Sequence, residues 1–461
     1  MGIIIGIDVA CRSSHRAACA DVTGNMVWKN ISFQTRTEEL EALWKRIPLE
    51  CGDVTVVMEP TRNAWVPLAA WFQRQGAKVI MVPPEQSADL RSYYSKHTKT
   101  DRLDAELLAR IPILHPSGMH AENGLGAAEP LKRAVKIRST LVKRRTTCMQ
   151  RLDALLEILG PDLFAALGSA MTITILHFLS RWPDPRQVLR LGKSRLSRWL
   201  YRQSHGKWGD AKAEMILSAA RRALQLWGST GIDFEALGAD IALEADLALQ
   251  LDHQIRAIDQ RIKSHYQRAD PDLIVQSIPG LGPVLAAQIV GRLGDPHRFN
   301  SLSAVRSYTG LVPRLNSSGV ASAAGGPTKQ GDACLREAIF MAADQMRRID
   351  PSLARRYQRL MLEGKHHNSA ICSVGAIVIS RIASCLRTGK HYELRDVDGA
   401  LVTEENARLI VSERYLVSEE IRKARRIVQR IKGGTLSCSH KAGDSAPIQE
   451  PTKQQSHGRS Q

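Results

Sequence analysis

Hydrophobic positions divide the chain into two regimes. Up to about residue 119, apolar runs of strand length alternate with helical spacing; beyond it helical periodicity takes over. Residues 3–7 (Ile-Ile-Ile-Gly-Ile) form a β-branched run that ends in Asp8, which predicts a buried strand with a carboxylate at its C-terminal end. His15 to Val22 and Met26 to Phe33, separated by Thr23-Gly24-Asn25, predict a hairpin. Thr35 and Glu38 make a capping-box pattern ahead of a helix through Leu40, Leu43, Trp44 and Ile47. Val54 to Met58 is a second buried strand and it ends in Glu59. Ala64 to Gln73 reads as a helix closed by Gly76, Lys78 to Val82 as a strand stopped by Pro83-Pro84, and Asp101 opens a helix to about Arg110.

Strands alternating with helices in this order require a mixed sheet covered on its faces. The order matches an α/β ribonuclease-H-like domain, in which the first strand is central and the strand after the first helix lies beside it. Asp8 and Glu59 would then end adjacent strands, with the last helix crossing over them. Asp101 and Asp104, three apart in Lys99-Thr100-Asp101-Arg102-Leu103-Asp104, project from one helix face. A plain helix start accounts for this stretch too, with Asp101 on the dipole and Thr100 as cap. Convergence of Asp8, Glu59, Asp101 and Asp104 favours a metal, because unpaired buried charges cost several kcal/mol each. Hard Mg²⁺ prefers such oxygen ligands, and two ions ~4 Å apart suit in-line phosphoryl transfer.

Past residue 119, Leu131 to Leu159 is helical, with a basic face of Lys132, Arg133, Lys136, Lys143, Arg144, Arg145 and Arg151. Arg195, Arg198, Arg202 and Lys207 interleave with Trp199, Tyr201 and Trp208. That pattern suits either backbone contacts with base stacking or an amphipathic helix with core tryptophans. Leu237, Ile241, Glu244, Ala248, Leu251, Ile255, Ile258 and Ile262 step as a heptad seam. It is a dimerising coiled coil or half of an internal helical hairpin with the Leu131–Leu159 helix. Ser277-Ile278-Pro279-Gly280-Leu281-Gly282-Pro283 reads as a turn between helices, similar to a helix-hairpin-helix motif whose backbone N–H groups hold a phosphate. Tyr308 to Gly319 reads as a polar loop with two serines, Ser317 and Ser318. Gly325 to Arg336, with Lys329, reads as a flexible loop opening a helix and able to hold a phosphate.

Charge sharpens the partner class. Lysine and arginine number 64 against 46 acids, a net +18, and the pI is near 9.8. Such a balance favours a polyanion, most simply nucleic acid, over small-molecule metabolism. A length of 461 residues with 43% hydrophobic content predicts two to four globular units. The eight cysteines are scattered without a CxxC pair, which gives no support to a zinc ribbon or finger and fits a reducing cytosol. The apolar runs Phe164 to Leu179 and Ala370 to Leu386 are short for membrane spans and read as buried helices. Gly433 to Gln461, rich in Ser, Gly, Gln, Lys and Pro, reads as a disordered tail.

Taken together, several pieces resemble one family: Ile7-Asp8, Met58-Glu59-Pro60-Thr61, Lys99 to Asp104, Ile278-Pro279-Gly280-Leu281-Gly282, Gly310-Leu311-Val312-Pro313 with Ser318-Gly319, and Thr328-Lys329-Gln330-Gly331-Asp332 followed by Leu335-Arg336. In this order they resemble the DEDD-type transposases of the insertion-sequence 110 family, which includes Piv-like DNA invertases. The resemblance covers about residues 3–120 and 270–390. It implies a RuvC-like nuclease domain (1–122), a helical and coiled-coil region (123–270) and a mainly α transposase domain (271–390). A helical extension (391–432) and the tail follow. Asp8, Glu59, Asp101 and Asp104 match the acidic tetrad that holds Mg²⁺ or Mn²⁺. Ser318 matches the serine before Gly that attacks DNA, with Ser317 as the adjacent alternative. Gly280 and Gly282 of the Gly-Leu-Gly turn, with Lys329 and Arg336 of the glycine-rich loop, are the candidate nucleic-acid contacts read from those two stretches.

The resemblance also implies DNA partners at the element ends and target, guidance by a structured noncoding RNA, a homodimer or tetramer, and a cytoplasmic, nucleoid-associated location. The chain departs from shorter members at about 160–235 and after about Tyr392, where the basic helix of Arg422, Lys423, Arg425, Arg426, Arg430 and Lys432 lies. A RuvC-like structure-selective endonuclease with water as nucleophile is the alternative. A sugar-kinase-like ATPase would need an Asp-x-Gly-Gly phosphate loop, which the chain lacks. A binding protein without chemistry is disfavoured by the four acids and the serine.

Overall fold

The computed structural model describes residues 2–48, 51–82, 87, 101–114, 120–121, 126, 128–168, 171–228, 231–318, 321–328 and 331–432; for 101–103, 120–121, 313–318, 321–327 and 427–432 it describes the backbone alone. The N-terminal part is a six-stranded mixed sheet. Its strands are β1 (Ile3–Asp8), β2 (His15–Asp21), β3 (Met26–Phe33), β4 (Val54–Met58), β5 (Lys78–Met81) and β6 (His120–Ala121), in the order β3-β2-β1-β4-β5-β6. β1 runs antiparallel to β2 and parallel to β4, so the first strand is central with β4 beside it, as the element order predicts. The short β6, antiparallel to β5, lies just past the point where the apolar pattern ends and is too brief to show in it.

Both faces of β1 are covered, which is why its sequence is apolar throughout. Ile3, Ile5 and Ile7 pack against Leu40 and Leu43 of α1 (Thr37–Trp44) and Leu68 and Phe72 of α2 (Trp65–Arg74). On the other face Ile4, Val57 and Ile80 pack against Leu108 and Ile111 of α3 (Asp101–Leu114). The capping-box expectation is corrected. Arg36 is the N-cap of α1 without a side-chain cap, because the Thr35 hydroxyl is engaged by His15 Nε2 at 2.8 Å. Glu39, not Glu38, reaches back to the backbone N–H of Gln34 at 2.7 Å.

The heptad seam is intramolecular. Helix α4 (Ala128–Ile158) pairs with α10 (Phe234–Ala269) through Arg138–Asp259 at 2.5 Å, Arg145–Asp252 at 2.5 Å and Arg151–Glu244 at 3.2 Å. Partner numbers fall as positions rise, so the hairpin is antiparallel. Glu244, the charged residue in the seam, is the partner of Arg151. Between these helices the 160–235 stretch forms α5 (Pro161–Leu167), α6 (Ile173–Arg181), α7 (Pro185–Leu191), α8 (Lys193–Gln203) and α9 (Asp210–Trp227). They share a core with one end of the hairpin, including Leu152, Leu156, Phe178, Leu200, Ile216 and Ile241. The run Phe164 to Leu179, read as one buried helix, is two: Gly168 (φ +100°) ends α5, and a new helix starts at Ile173.

The C-terminal part packs α11 (Pro283–Leu293), α12 (Leu302–Thr309), α13 (Ala333–Met346) and α14 (Pro351–Leu362) around α15 (His367–Thr388). α15 is long and apolar enough to cross a membrane by composition, yet Ile371, Val374, Val378, Ile379 and Ile382 are fully buried in this core. The cation inside that apolar run, Arg381, joins a buried network. Asp350 Oδ2 accepts from Arg381 Nη1 (3.0 Å) and Tyr392 Oη (2.6 Å), while Oδ1 caps α14 at Leu353 N (3.0 Å). The network ties the extension, α16 (Glu404–Arg414) and α17 (Glu419–Lys432), to the core through Tyr392. Arg381→Ala leaves a carboxylate only 2% exposed without its cation and is expected to cost about 3 kcal/mol in thermal or urea denaturation. An unchanged midpoint would refute this role.

His367 at the start of α15 is 6% exposed and meets Tyr357 Oη through Nδ1 at 2.8 Å. Burial, with Arg426 and Arg347 nearby, pushes its pKa down to about 4. Its neutral form therefore contributes stability that is full above pH 6.5 and is lost as the pH falls through 6.5 to about 4. His367→Gln is expected to be less stable than wild type at pH 7.5, with the gap shrinking at pH 4.5. A gap constant with pH would contradict this.

Candidate active site

Parallel pairing of Ile7 with Met58 places the next residues, Asp8 and Glu59, side by side at the C-terminal ends of β1 and β4. The turn beyond Asp8 is pinned by Ala10 N–H donating to His15 Nδ1 at 3.1 Å. With Nδ1 accepting, Nε2 carries the proton and donates to Thr35, and burial lowers the His15 pKa in keeping with a neutral ring. Ser87 Oγ donates to Glu59 Oε2 at 2.7 Å. Asp8 and Glu59 are half-buried.

Helix α3 delivers the other acids. Asp101 is its first residue, and Asp104, 7% exposed, lies one turn on. α3 lies directly on β1. A Cβ at Gly6 would meet the Ala105 carbonyl oxygen at 2.2 Å and the Ala109 nitrogen at 2.3 Å. Only glycine admits this approach, and it brings the backbone beside Asp104 over β1 two residues before Asp8. Gly6 was missed as a positioning residue; the available signal was an isolated glycine inside a buried strand.

The donors are carboxylate oxygens, which suit a hard divalent cation. Asp8, Glu59 and Asp104 do not, however, gather into a ready cage: among the described residues no three His, Cys, Asp or Glu side chains are grouped to hold a metal. The side chain of Asp101 lies outside the described residues.

The predicted polar loop around the serines is corrected to a β-hairpin. β7 (Pro313–Ser318) pairs with β8 (Ala321–Pro327), with Ser317 opposite Ser322 and Ser318 opposite Ala321. Ser318 is thus the last paired residue before the hairpin tip. Arg314-Leu315-Asn316-Ser317-Ser318 shows no apolar alternation, so the strand was not legible. The hairpin base is fixed by Thr328 N–H to the Val312 carbonyl (2.9 Å) and Asp332 N–H to the Tyr308 carbonyl (3.1 Å). Gly331 (φ +114°) is required there, since a Cβ would lie 2.2 Å from the Tyr308 oxygen. Asp332 caps α13 at Leu335 N (2.8 Å) and pairs with Arg292. Arg336 donates to the Thr309 carbonyl at 3.3 Å, so it braces the same junction. Lys329 lies outside the described residues.

Gly280 (φ +85°) and Gly282 are exposed at the start of α11, over buried Ile278 and Leu281. The element before them is a single 3₁₀ turn, Val275–Ser277, not the helix expected. Buried Asp270 builds it by accepting from Ile274 N (2.9 Å), Val275 N (3.0 Å) and Tyr266 Oη (2.7 Å). A cleft of about 570 Å³ runs between the segment after Glu59, the start of α4 and the end of α11. Arg62, Lys132, Lys136, Arg292 and Arg298 line it.

A family model described as transposase, of the DEDD type of IS110, matches residues 5–161. A second, described as the transposase of the IS116/IS110/IS902 family, matches residues 272–358. Two separate stretches of the chain thus match one family, together over more than half of its length. The chain belongs to the IS110 family of transposases. In this IS110 transposase the four acids fall in the first match, and Gly280, Gly282, Ser318, Lys329 and Arg336 in the second. An IS110 insertion-element protein of Streptomyces coelicolor is 23% identical over 86% of this chain and 96% of its own. The transposase for insertion sequence element IS1111A of Coxiella burnetii is 22% identical over 74% and 76%. The pilin gene-inverting protein of Moraxella bovis is 27% identical over 74% and 81%.

Proposed function

We propose that this transposase cuts and rejoins DNA strands at the ends of an insertion element through Ser318. The observation that supports this best is the juxtaposition of Asp8 and Glu59 on adjacent parallel strand ends, with Asp104 carried over β1 at Gly6. Asp8, Glu59, Asp101 and Asp104 would hold Mg²⁺ or Mn²⁺, which when bound supplies positive charge to the phosphate oxygens. Ser318 Oγ attacks the phosphorus. The Ser–O–P bond forms, the P–O bond to the leaving deoxyribose oxygen breaks, the serine proton goes to solvent and the leaving oxygen takes one up. Rejoining reverses these bonds on a second strand. The basic cleft beside Glu59 carries the backbone between the two sites. The domain carrying the acids is RuvC-like, the working form is a homodimer or tetramer in the bacterial cytoplasm, and a structured RNA selects the DNAs.

Incubating the protein with two element-end duplexes, Mg²⁺ and RNA transcribed from the element's noncoding flank is expected to give recombinant strands of exchanged length. Nicked products alone would favour a water-using endonuclease and overturn this reading.

A further inference from the structure

The helix α8 lies in the 162–271 stretch that neither family match covers. Its two faces differ sharply. Leu196, Ser197 and Leu200 are buried, and half-buried Trp199 packs edge-on against Trp182 at 4.9 Å at the margin of the core. Arg195, Arg198 and Arg202 are exposed on the opposite side. At 100° per residue they fall within about 60° of each other and span about 10 Å of the axis. Exposed Lys207 follows in the next turn.

Four other cations of the insert are paired with carboxylates, while Arg181, Arg190 and Lys212 sit over a ring or on a backbone carbonyl. Arg186 pairs with Asp184 at 2.7 Å, Lys193 with Glu214 at 3.3 Å, Arg221 with Glu214 at 3.5 Å and Arg222 with Asp162 at 3.0 Å. Among the described residues no carboxylate pairs with Arg195, Arg198, Arg202 or Lys207. Three like charges on one face repel, and a surface that meets only water gains nothing from gathering them.

We propose that this face of α8 is a second nucleic-acid contact, taking the sugar-phosphate backbone of a helical duplex. The aromatic positions decide against a single strand. Trp199 and Trp208 are both half-buried against the core, Trp199 on Trp182 and Trp208 with Lys212 over its ring at 4.9 Å, so Tyr201 alone of the three is exposed. A row of cations without a stacking platform holds phosphates and leaves bases unread. The proposal rests on the chain being a transposase that handles nucleic acid, and not on Ser318 or the acids. Duplex DNA and a base-paired RNA stem share this chemistry.

The test measures binding of the full-length protein in EDTA, where strand transfer does not enter, to a 30-bp duplex and to an RNA stem of similar length across a salt series. Arg195→Gln/Arg198→Gln/Arg202→Gln, with circular dichroism to confirm folding, is expected to weaken binding about tenfold or more and reduce the log–log salt slope by about 2.7. Arg198→Gln alone, directly opposite the core, is expected to reduce it by about 0.9. Loss on DNA alone or on the RNA stem alone assigns the source, and loss on both supports the shared backbone chemistry. Unchanged affinity and slope for both probes would overturn the proposal, as would an equal loss from Arg221→Gln/Arg222→Gln, whose cations are already paired. Loss of an associated protein with nucleic-acid binding intact would overturn it too.

Discussion

Ser318→Ala is expected to abolish strand exchange, by at least about a thousandfold, while leaving DNA binding within about twofold. A nucleophile that forms the covalent bond cannot be replaced by a methyl group, and removing one from a covalent mechanism has effects of this order or larger. The fold should tolerate the change, because the hairpin base is held by backbone bonds, Val312–Thr328 and Tyr308–Asp332, that do not involve residue 318. Ser317→Ala is the matched control. It stands opposite Ser322, one register step from the tip, and is expected to retain most activity. Reversal of the two outcomes would move the nucleophile by one residue.

Gly6→Ala is expected to cost about 3 kcal/mol or more in the stability of the N-terminal sheet and to remove strand transfer with it. The obstruction is backbone on both sides, the Ala105 carbonyl and the Ala109 nitrogen, so no side-chain rotation relieves it. Overpacking of a tight core costs about 1–3 kcal/mol when side chains can yield. Here α3 itself must lift, and Asp101 and Asp104 move away from Asp8 with it. Gly52→Ala is the control: its Cβ meets nothing within 4 Å, and a change under about 0.5 kcal/mol is expected. Equal behaviour of the two variants in a thermal melt would show that α3 does not depend on close approach at Gly6.

These two residues also mark what sequence made legible. The sheet was readable because β-branched runs of strand length ended in acids, and the order of elements fixed which strand is central. The heptad seam was readable as a seam, but not its partner: apolar spacing is the same within and between chains, and the deciding pairs, Arg138–Asp259 and Arg145–Asp252, are more than 100 residues apart. The break at Gly168 and the Ser318 hairpin escaped because one is a single positive-φ glycine in an apolar run and the other carries no alternation. The Asp350–Arg381–Tyr392 network joins residues up to 42 positions apart, beyond any local pattern. In the aromatic-basic stretch of α8, Trp199 packs on Trp182, as the amphipathic-helix alternative expects, and Arg195, Arg198 and Arg202 are exposed.

The most direct measurement is to trap the protein on a labelled element-end duplex with Mg²⁺, denature, digest and map the peptide that carries the nucleotide. The account predicts a nucleotide linked to Ser318, absent from Ser318→Ala and strongly reduced in Asp8→Ala. A linkage at another residue, or cleaved DNA with no protein attached, would contradict it.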